Sequence, residues 1–397
     1  MIKIAFIHNN FPAGGAERIT VDIADYLKTT VGYEVYVYAS RVSEKLLADN
    51  ASRSYILRRI PTQAIPSKRA RQIERLIIQD GIDILVQVVK SIPGIEGIKA
   101  RTGVKTIVAC HGEPFWQRFA IMHRRQKGLI NKILWRLWNK RRFADGTLAM
   151  QMAVERTRRD YTTSDAYVVL CEAYKTETAE RLGVDVEGSH IYAIENPEYP
   201  VKDVNYDKEN IILFVGRFEN WSKRIDRLLW IWHSVQDRMQ DWQLVLVGDG
   251  ADFEGIRQMA VDMSLKRVSF EGRQNNVSAY YRKASVVALT SETEGWGLAL
   301  TEGQAMGCIG VAFGCSSGVK EVLLPDGECG FVVPPFDEER YADTLLAIAA
   351  MDDASRMAIR QRAVAKRLRY APEIISEKWR ILFEHLKANR ESSYMKP

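Results

Sequence analysis

Ile2 to His8 (IKIAFIH) is an apolar run of strand length, and Asn9 to Gly15 (NNFPAGG) is rich in turn formers. Ala16 to Lys28 then carries Ile19, Ile23 and Leu27 at helical spacing, and Tyr33 to Ala39 (YEVYVYA) is apolar again. Strand, glycine loop, helix, strand is the opening unit of a doubly wound α/β fold, in which buried parallel strands read as near-continuous apolar runs. The same grammar continues. Arg71 to Gln79 predicts a helix, and Ile84–Val89, Lys105–Cys110, Ala166–Leu170 and His190–Ile194 predict further core strands. Glu195 to Asn210 is polar, holds two prolines and lacks periodicity, so it predicts a linker. A second series of strands follows at Ile211–Val215, Gln243–Val247, Val268–Glu271, Ser285–Leu289, Cys308–Phe313 and Gly330–Val333. Helices are predicted from about Ile225, over Glu338–Met351 and Ala354–Tyr370, and from Pro372, the last with Ile375, Trp379, Leu382, Phe383 and Leu386 on one face. The reading is two α/β halves, 1–194 and 211–371, and 397 residues suit two domains at roughly 150 residues each.

Composition bounds the setting. With 46% apolar and 27% charged residues the chain can bury sizeable cores. The first strand begins at once, without the zones of a signal peptide, and no apolar run approaches the roughly 18 residues that span a bilayer. Five scattered cysteines without CxxC spacing predict small core residues in a reducing, cytoplasmic compartment. The net charge of +6 is unevenly spread: 117–144 contains no acidic residue but holds Arg118, Arg124, Arg125, Lys127, Lys132, Arg136, Lys140, Arg141 and Arg142. Leu129, Ile130, Ile133, Leu134, Leu137 and Trp138 recur there at helical spacing. One reading is a surface helix packed on its own domain. The other is an interfacial helix on anionic lipid at the inner face of the membrane, where each cation contributes about 1 kcal/mol and about four would give reversible, roughly millimolar docking. Both stay open.

The most informative stretch is Thr290 to Gly307 (TSETEGWGLALTEGQAMG). It follows an apolar strand, is too glycine-rich to turn helical before Gly297, and stops at Gly307. Glu294 then sits on the loop at the carboxyl end of a strand and Glu302 in the first turns of the next helix. Ligands of open α/β sheets bind at that end. The amides near Gly297, Leu298 and Ala299 would form an anion site at a helix N-terminus. Two carboxylates beside an anion site fit a ligand with both phosphates and hydroxyls, as a nucleotide-sugar has. The plainer reading is a solvated loop glutamate and one favoured by the helix dipole. Arg217 and Lys223, after strand Ile211–Val215, are cations that could face this loop; arginine bridges phosphate oxygens bidentately and lysine supplies a point charge.

In the first half, Lys105–Cys110 runs into His111, which from a strand end can hydrogen-bond a ligand hydroxyl or carbonyl; His8 holds a similar place. Gly14 and Gly15 permit close backbone approach to a ligand, or simply make a tight turn. No HxxH, HExxH or Cys/His cluster occurs, so no metal site is expected.

Gly216-Arg217, Lys223, Gly248-Asp249-Gly250 and Glu294…Glu302 together resemble the retaining glycosyltransferases of family 4, over nearly the whole length and most closely over Ile211–Val333. The paired-glutamate motif of that family stands here as EGWGLALTE. The resemblance implies a GT-B fold: two Rossmann-like doubly wound domains facing a central cleft, an acceptor domain (1–194), a linker (195–210), a donor domain (211–371), and a final helix (372–397) crossing back to the N-terminal domain. It implies that Glu294 contacts donor sugar hydroxyls and Glu302 the ribose. Arg217 and Lys223 would clamp the diphosphate, with Gly297, Leu298 and Ala299 assisting, and Arg273 would lie where the base docks. His111 would sit near the sugar and Gly14-Gly15 would be the first glycine loop. The implied donor is a nucleotide-sugar, a UDP-sugar ahead of a GDP-sugar, with no cofactor or metal; the implied acceptor is a saccharide or lipid-linked glycan in capsule, O-antigen or lipopolysaccharide synthesis. Three departures stand out: Lys223 follows Arg217 by one residue more than is usual, Gly303 stands where alanine is common, and Ile309 where proline is.

Other readings are a sugar-nucleotide epimerase on the same plan, which would release nucleotide without an acceptor, and a non-catalytic membrane-surface protein. A nicotinamide dehydrogenase is disfavoured because Gly248-Asp249-Gly250 lacks the third glycine of GxGxxG, and no nucleic-acid module is recognisable.

Overall fold

Two all-parallel sheets organise the chain, one in each of two compact units, in a computed structural model that describes residues 1–12, 15–43, 54–62, 66–122 and 146–394. The first unit comprises Met1–Pro197 with Pro372–Pro397, and the second Glu198–Ala371.

The first sheet contains β1 (Lys3–Phe11), β2 (Glu34–Val42), β3 (Ile56–Arg59), β4 (Ile84–Val88), β5 (Lys105–Ala109), β6 (Ala166–Val169) and β7 (Ile191–Ala193), ordered β3-β2-β1-β4-β5-β6-β7. Ile4 lies between Val35 and Ile84, and all three are buried, which is why these strands read as unbroken apolar runs. β1 runs three residues past its expected end. Asn10 and Phe11 pair in register with Arg41 and Val42, so His8 lies inside the strand rather than at its end. β3 (ILRR) has only a two-residue apolar run, as a half-exposed edge strand allows. Its Arg58 instead reaches Asp80, which also accepts from the Tyr38 hydroxyl at 3.0 Å. The final helix, Pro372–Tyr394, belongs to this unit and buries the predicted face, Ile375, Trp379, Leu382, Phe383 and Leu386. Its Glu384 accepts from Tyr33 at 2.9 Å.

The second sheet contains β8 (Glu209–Val215), β9 (Gln243–Val247), β10 (Val268–Gly272), β11 (Ala284–Leu289), β12 (Ile309–Phe313) and β13 (Phe331–Val333), ordered β10-β9-β8-β11-β12-β13. Glu209 and Asn210, read as linker, are the first residues of β8. In each sheet the order reverses once, beside β1 and β4 in the first and beside β8 and β11 in the second. Loops leaving the two strands at such a switch point diverge and leave a crevice at their carboxyl ends.

Two glycines set how closely the second unit packs near that point. Gly248, at φ 138°, lies so close to Gly216 that a Cβ would sit 1.8 Å from its carbonyl oxygen. The Gly-Asp-Gly run therefore serves backbone-to-backbone packing between the loops after β8 and β9. Gly303, on the helix Leu298–Ala305, faces β11; a Cβ there would lie 2.7 Å from Val287 Cγ1. This β-branched neighbour explains glycine where alanine is common. Gly303→Ala should cost about 1–3 kcal/mol through overpacking. The penalty should shrink in a Val287→Ala background, as a double-mutant cycle of urea unfolding will show.

Candidate active site

In the second unit the loop after β8 forms a one-turn helix, Asn220–Lys223, closed by Arg224 in the left-handed region at φ 48°. The loop after β11 runs from Thr290 to Gly297 and opens the helix Leu298–Ala305. Across the switch point the two loops bond to each other. Glu292 N–H donates to Ser222 C=O at 2.8 Å, and Thr290 Oγ1 donates to Arg224 C=O at 2.9 Å. Arg224 and Arg227 both donate to Glu292 Oε2, at 3.2 and 2.7 Å. On this frame Lys223 Nζ meets Glu294 Oε1 at 2.5 Å, and Ser291 Oγ donates to the same oxygen at 2.8 Å. Side-chain exposures of 19% and 10% leave the pair reachable but poorly solvated, so each charge is held in place by the other.

The other predicted residues fall at different distances from this pair. Glu302 accepts from Tyr281 Oη at 3.0 Å. Gly297 takes φ 78°, which a glycine adopts without strain, and no side chain caps the helix that it opens. The Leu298 and Ala299 amides precede the first intrahelical donor, Leu300 N–H, which bonds Gly297 C=O at 2.8 Å, so their N–H groups point out of the helix end. Trp296, buried edge-on against Tyr370, anchors the approach to this turn. Arg217 does not join the Lys223–Glu294 pair. Its side chain is 70% exposed and donates to Glu219 Oε1 at 2.9 Å. An exposed pair is worth about 0–1 kcal/mol, so the guanidinium is held only weakly there. Arg273 is exposed beyond Gly272, at the end of edge strand β10, two strands away from β8.

In the first unit His111 follows β5, and its Nδ1 lies 3.1 Å from Asn196 Oδ1. With that oxygen as acceptor, Nδ1 carries the proton and Nε2 the lone pair. Burial pushes the imidazole down to about 4, with His8 adding to the effect and Asn196 and Glu17 opposing it. His8 is buried, with Nε2 2.9 Å from Thr20 Oγ1 and Nδ1 3.7 Å from Glu17 Oε1. Burial raises the Glu17 carboxyl, but the bond to His8 outweighs it together with smaller contributions, and the net shift is downward. Sequence reading missed Asn196 and Glu17. Asn196 is 85 residues from His111, and its one signal was an Asn-Pro step after a predicted strand. Glu17 carries only the signature of a first-turn acid on a helix. Gly15 opens the first helix, whereas Gly14 and residues 123–144 of the basic stretch lie outside the described residues.

Among the described residues, no group of three His, Cys, Asp or Glu side chains is placed to hold a metal ion, and no helix is long and apolar enough to cross a membrane. A cavity of about 490 Å³ beside β7 and the final helix, and one of about 520 Å³ beside β13, involve none of the residues named above for the donor.

Two Rossmann-like units, the second with a carboxylate–ammonium pair and an uncapped helix end at its switch point, are the layout of GT-B glycosyltransferases. Comparison with known proteins agrees. Residues 13–197 match the model "Glycosyltransferase Family 4" and residues 195–365 match "Glycosyl transferases group 1". An uncharacterized glycosyltransferase of Haemophilus influenzae is 27% identical over 96% of this chain and 99% of its own. A Campylobacter jejuni α-1,4-N-acetyl-D-galactosaminyltransferase, named for a GalNAc-containing diNAcBac-PP-undecaprenol, is 28% identical over 47% of this chain and 51% of its own. The solved structure of Anabaena HepE with UDP-glucose superposes with a TM-score of 0.71 at 16% identity, covering 99% of this chain and all of that one. The chain belongs to the family 4 glycosyltransferases, with the GT-B fold, and is a transferase enzyme.

The depressed histidine has a testable consequence. A neutral native His111 binds fewer protons than the unfolded chain between pH 4 and 6.5, so its contribution is fully present above about 6.5 and is lost as pH falls through about 4. His111→Gln should flatten the pH dependence of unfolding free energy across that window by about one proton relative to the parent.

Proposed function

We propose that the enzyme moves a hexose-type unit from a nucleoside diphosphate donor, a UDP-sugar ahead of a GDP-sugar, to a saccharide or lipid-linked acceptor, with retention of configuration and without a metal. The Lys223–Glu294 pair carries this reading: it puts an ammonium and a carboxylate side by side at a switch point, one suited to a diphosphate and the other to sugar hydroxyls. In this reading the Leu298 and Ala299 amides, Lys223 and a reoriented Arg217 take up charge as the diphosphate leaves. Charge-assisted bonds of this kind contribute about 1.5–3 kcal/mol each. Glu294 fixes the sugar, Glu302 the ribose, Arg273 lies toward the base, and His111 offers Nε2 to a hydroxyl. Attack on the face from which the diphosphate departs asks the protein for positioning and electrostatics rather than for a nucleophile. The undecaprenol-linked substrate in the name of the Campylobacter relative supports a lipid-linked acceptor in surface-glycan synthesis.

A thermal-shift panel of UDP-, GDP- and ADP-sugars identifies the donor. With that donor, Glu294→Ala should lower kcat at least 100-fold while the fold persists, and Arg217→Ala should weaken nucleoside diphosphate binding about tenfold by calorimetry, about 1.4 kcal/mol. Unchanged values would remove either residue from the site. Nucleotide release at full rate without acceptor would favour the epimerase.

We also propose that the basic stretch 117–144 docks reversibly on anionic lipid, which would hold the enzyme at the cytoplasmic face of a membrane. Replacing Arg124, Arg125, Arg141 and Arg142 by glutamine should reduce sedimentation with phosphatidylglycerol vesicles. Unchanged sedimentation would favour internal packing.

A further inference from the structure

Tyr281 lies on the short helix Ser278–Lys283, which ends where β11 begins. Its ring is buried, with 1% exposure. Lys208 Nζ caps the ends of two helices at once. It donates to the carbonyls of Tyr281 at 2.9 Å and Arg282 at 3.1 Å, and to that of Met306 at 2.6 Å, which follows the helix carrying Glu302. Cys308 Sγ adds a contact to the Tyr281 carbonyl at 3.1 Å. The two helices are thus stapled at their C-terminal ends by one ammonium. Between them the Tyr281 hydroxyl donates to Glu302 Oε2 at 3.0 Å. Burial first, and then the charge of Glu302, push the phenol well above its ordinary value, so it is a donor at every working pH. Thr301, the residue before Glu302, is held as well, through a 2.9 Å bond to Glu198 Oε2.

A carboxylate that must accept from two neighbouring ribose hydroxyls needs its plane fixed, since rotation about its terminal torsion is soft. One oxygen held by a buried, immobile donor supplies that constraint. We infer that Tyr281 is a positioning residue for donor recognition: by holding Glu302 Oε2 it orients the carboxylate toward the ribose hydroxyls of the bound nucleotide. The inference rests on the ribose-binding reading of Glu302 given above.

The experiment is a cycle of protein and ligand changes. Calorimetry gives the dissociation constants of UDP and 2′,3′-dideoxy-UDP for the parent, Tyr281→Phe and Glu302→Gln, with urea unfolding as the check on folding. If Tyr281 acts through Glu302, Tyr281→Phe weakens UDP by about five- to tenfold and leaves dideoxy-UDP within twofold of the parent. The selectivity for ribose hydroxyls then collapses as it does in Glu302→Gln. Equal weakening of both ligands, or no change in either, overturns the inference. If Glu302→Gln itself keeps the full selectivity, the ribose assignment of Glu302 has failed first, and that result is distinct from a failure of Tyr281 alone. Should Tyr281→Phe unfold, Tyr281→Met and Tyr281→His in the same cycle separate loss of ring packing from loss of the hydroxyl: the histidine, which keeps a donor, must retain more selectivity than the methionine, which has none.

Discussion

The hydrogen bond from Glu292 N–H to Ser222 C=O ties together two loops that leave neighbouring strands in opposite directions. At a switch point nothing in the sheet itself holds such loops together, since their helices belong to different crossovers. The bond, the Thr290–Arg224 contact and the arginines on Glu292 fix the spacing of the loops. Lys223 and Glu294 then meet without having to search for each other. A partly buried ion pair adds little net stability, because desolvation offsets attraction. What the frame supplies is preorganisation: two opposite charges held 2.5 Å apart at the carboxyl ends of the strands.

The first unit solves a different problem. Its histidine sits where burial outweighs every other influence, so the imidazole stays neutral and keeps a lone pair at working pH. Asn196 chooses which nitrogen carries the proton. His8 and Glu17 form a second, linked pair on β1 and the helix after it, beside the switch point of that sheet. Both units therefore set polar groups at the carboxyl ends of their parallel strands, where the fold leaves backbone groups and crevices available. In the second unit Lys223 and Glu294 form an ion pair, whereas in the first His111 is held neutral while the Glu17 carboxyl is held below its usual value.

Much of the fold was legible because parallel strands buried on both faces cannot avoid long apolar runs. Ile84–Val88 and Gln243–Val247 stood out for that reason. β3 did not, since an edge strand needs no such run and Arg58 finds its partner across the unit at Asp80. In the candidate site, Glu294 and Lys223 were readable from loop position, whereas nothing in the sequence singles out Tyr281. Its hydroxyl acquires meaning only when the helix of Glu302 lies beside it. The Gly248 and Gly303 signals were visible as glycines, but their reason, a carbonyl at Gly216 and a branched side chain at Val287, was not.

By itself the sequence determined the alternation of strands and helices, the loop and following helix that bear the paired glutamates, and the glycine that opens that helix. These are local consequences of periodicity and backbone freedom. Tertiary structure alone decided that Arg217 rests on Glu219 while Lys223 reaches Glu294, that Asn196 selects the tautomer of His111, and that Tyr281 grips Glu302. Partners far apart along the chain are chosen by which loops the strand order brings together, and strand order leaves no periodic mark on a sequence.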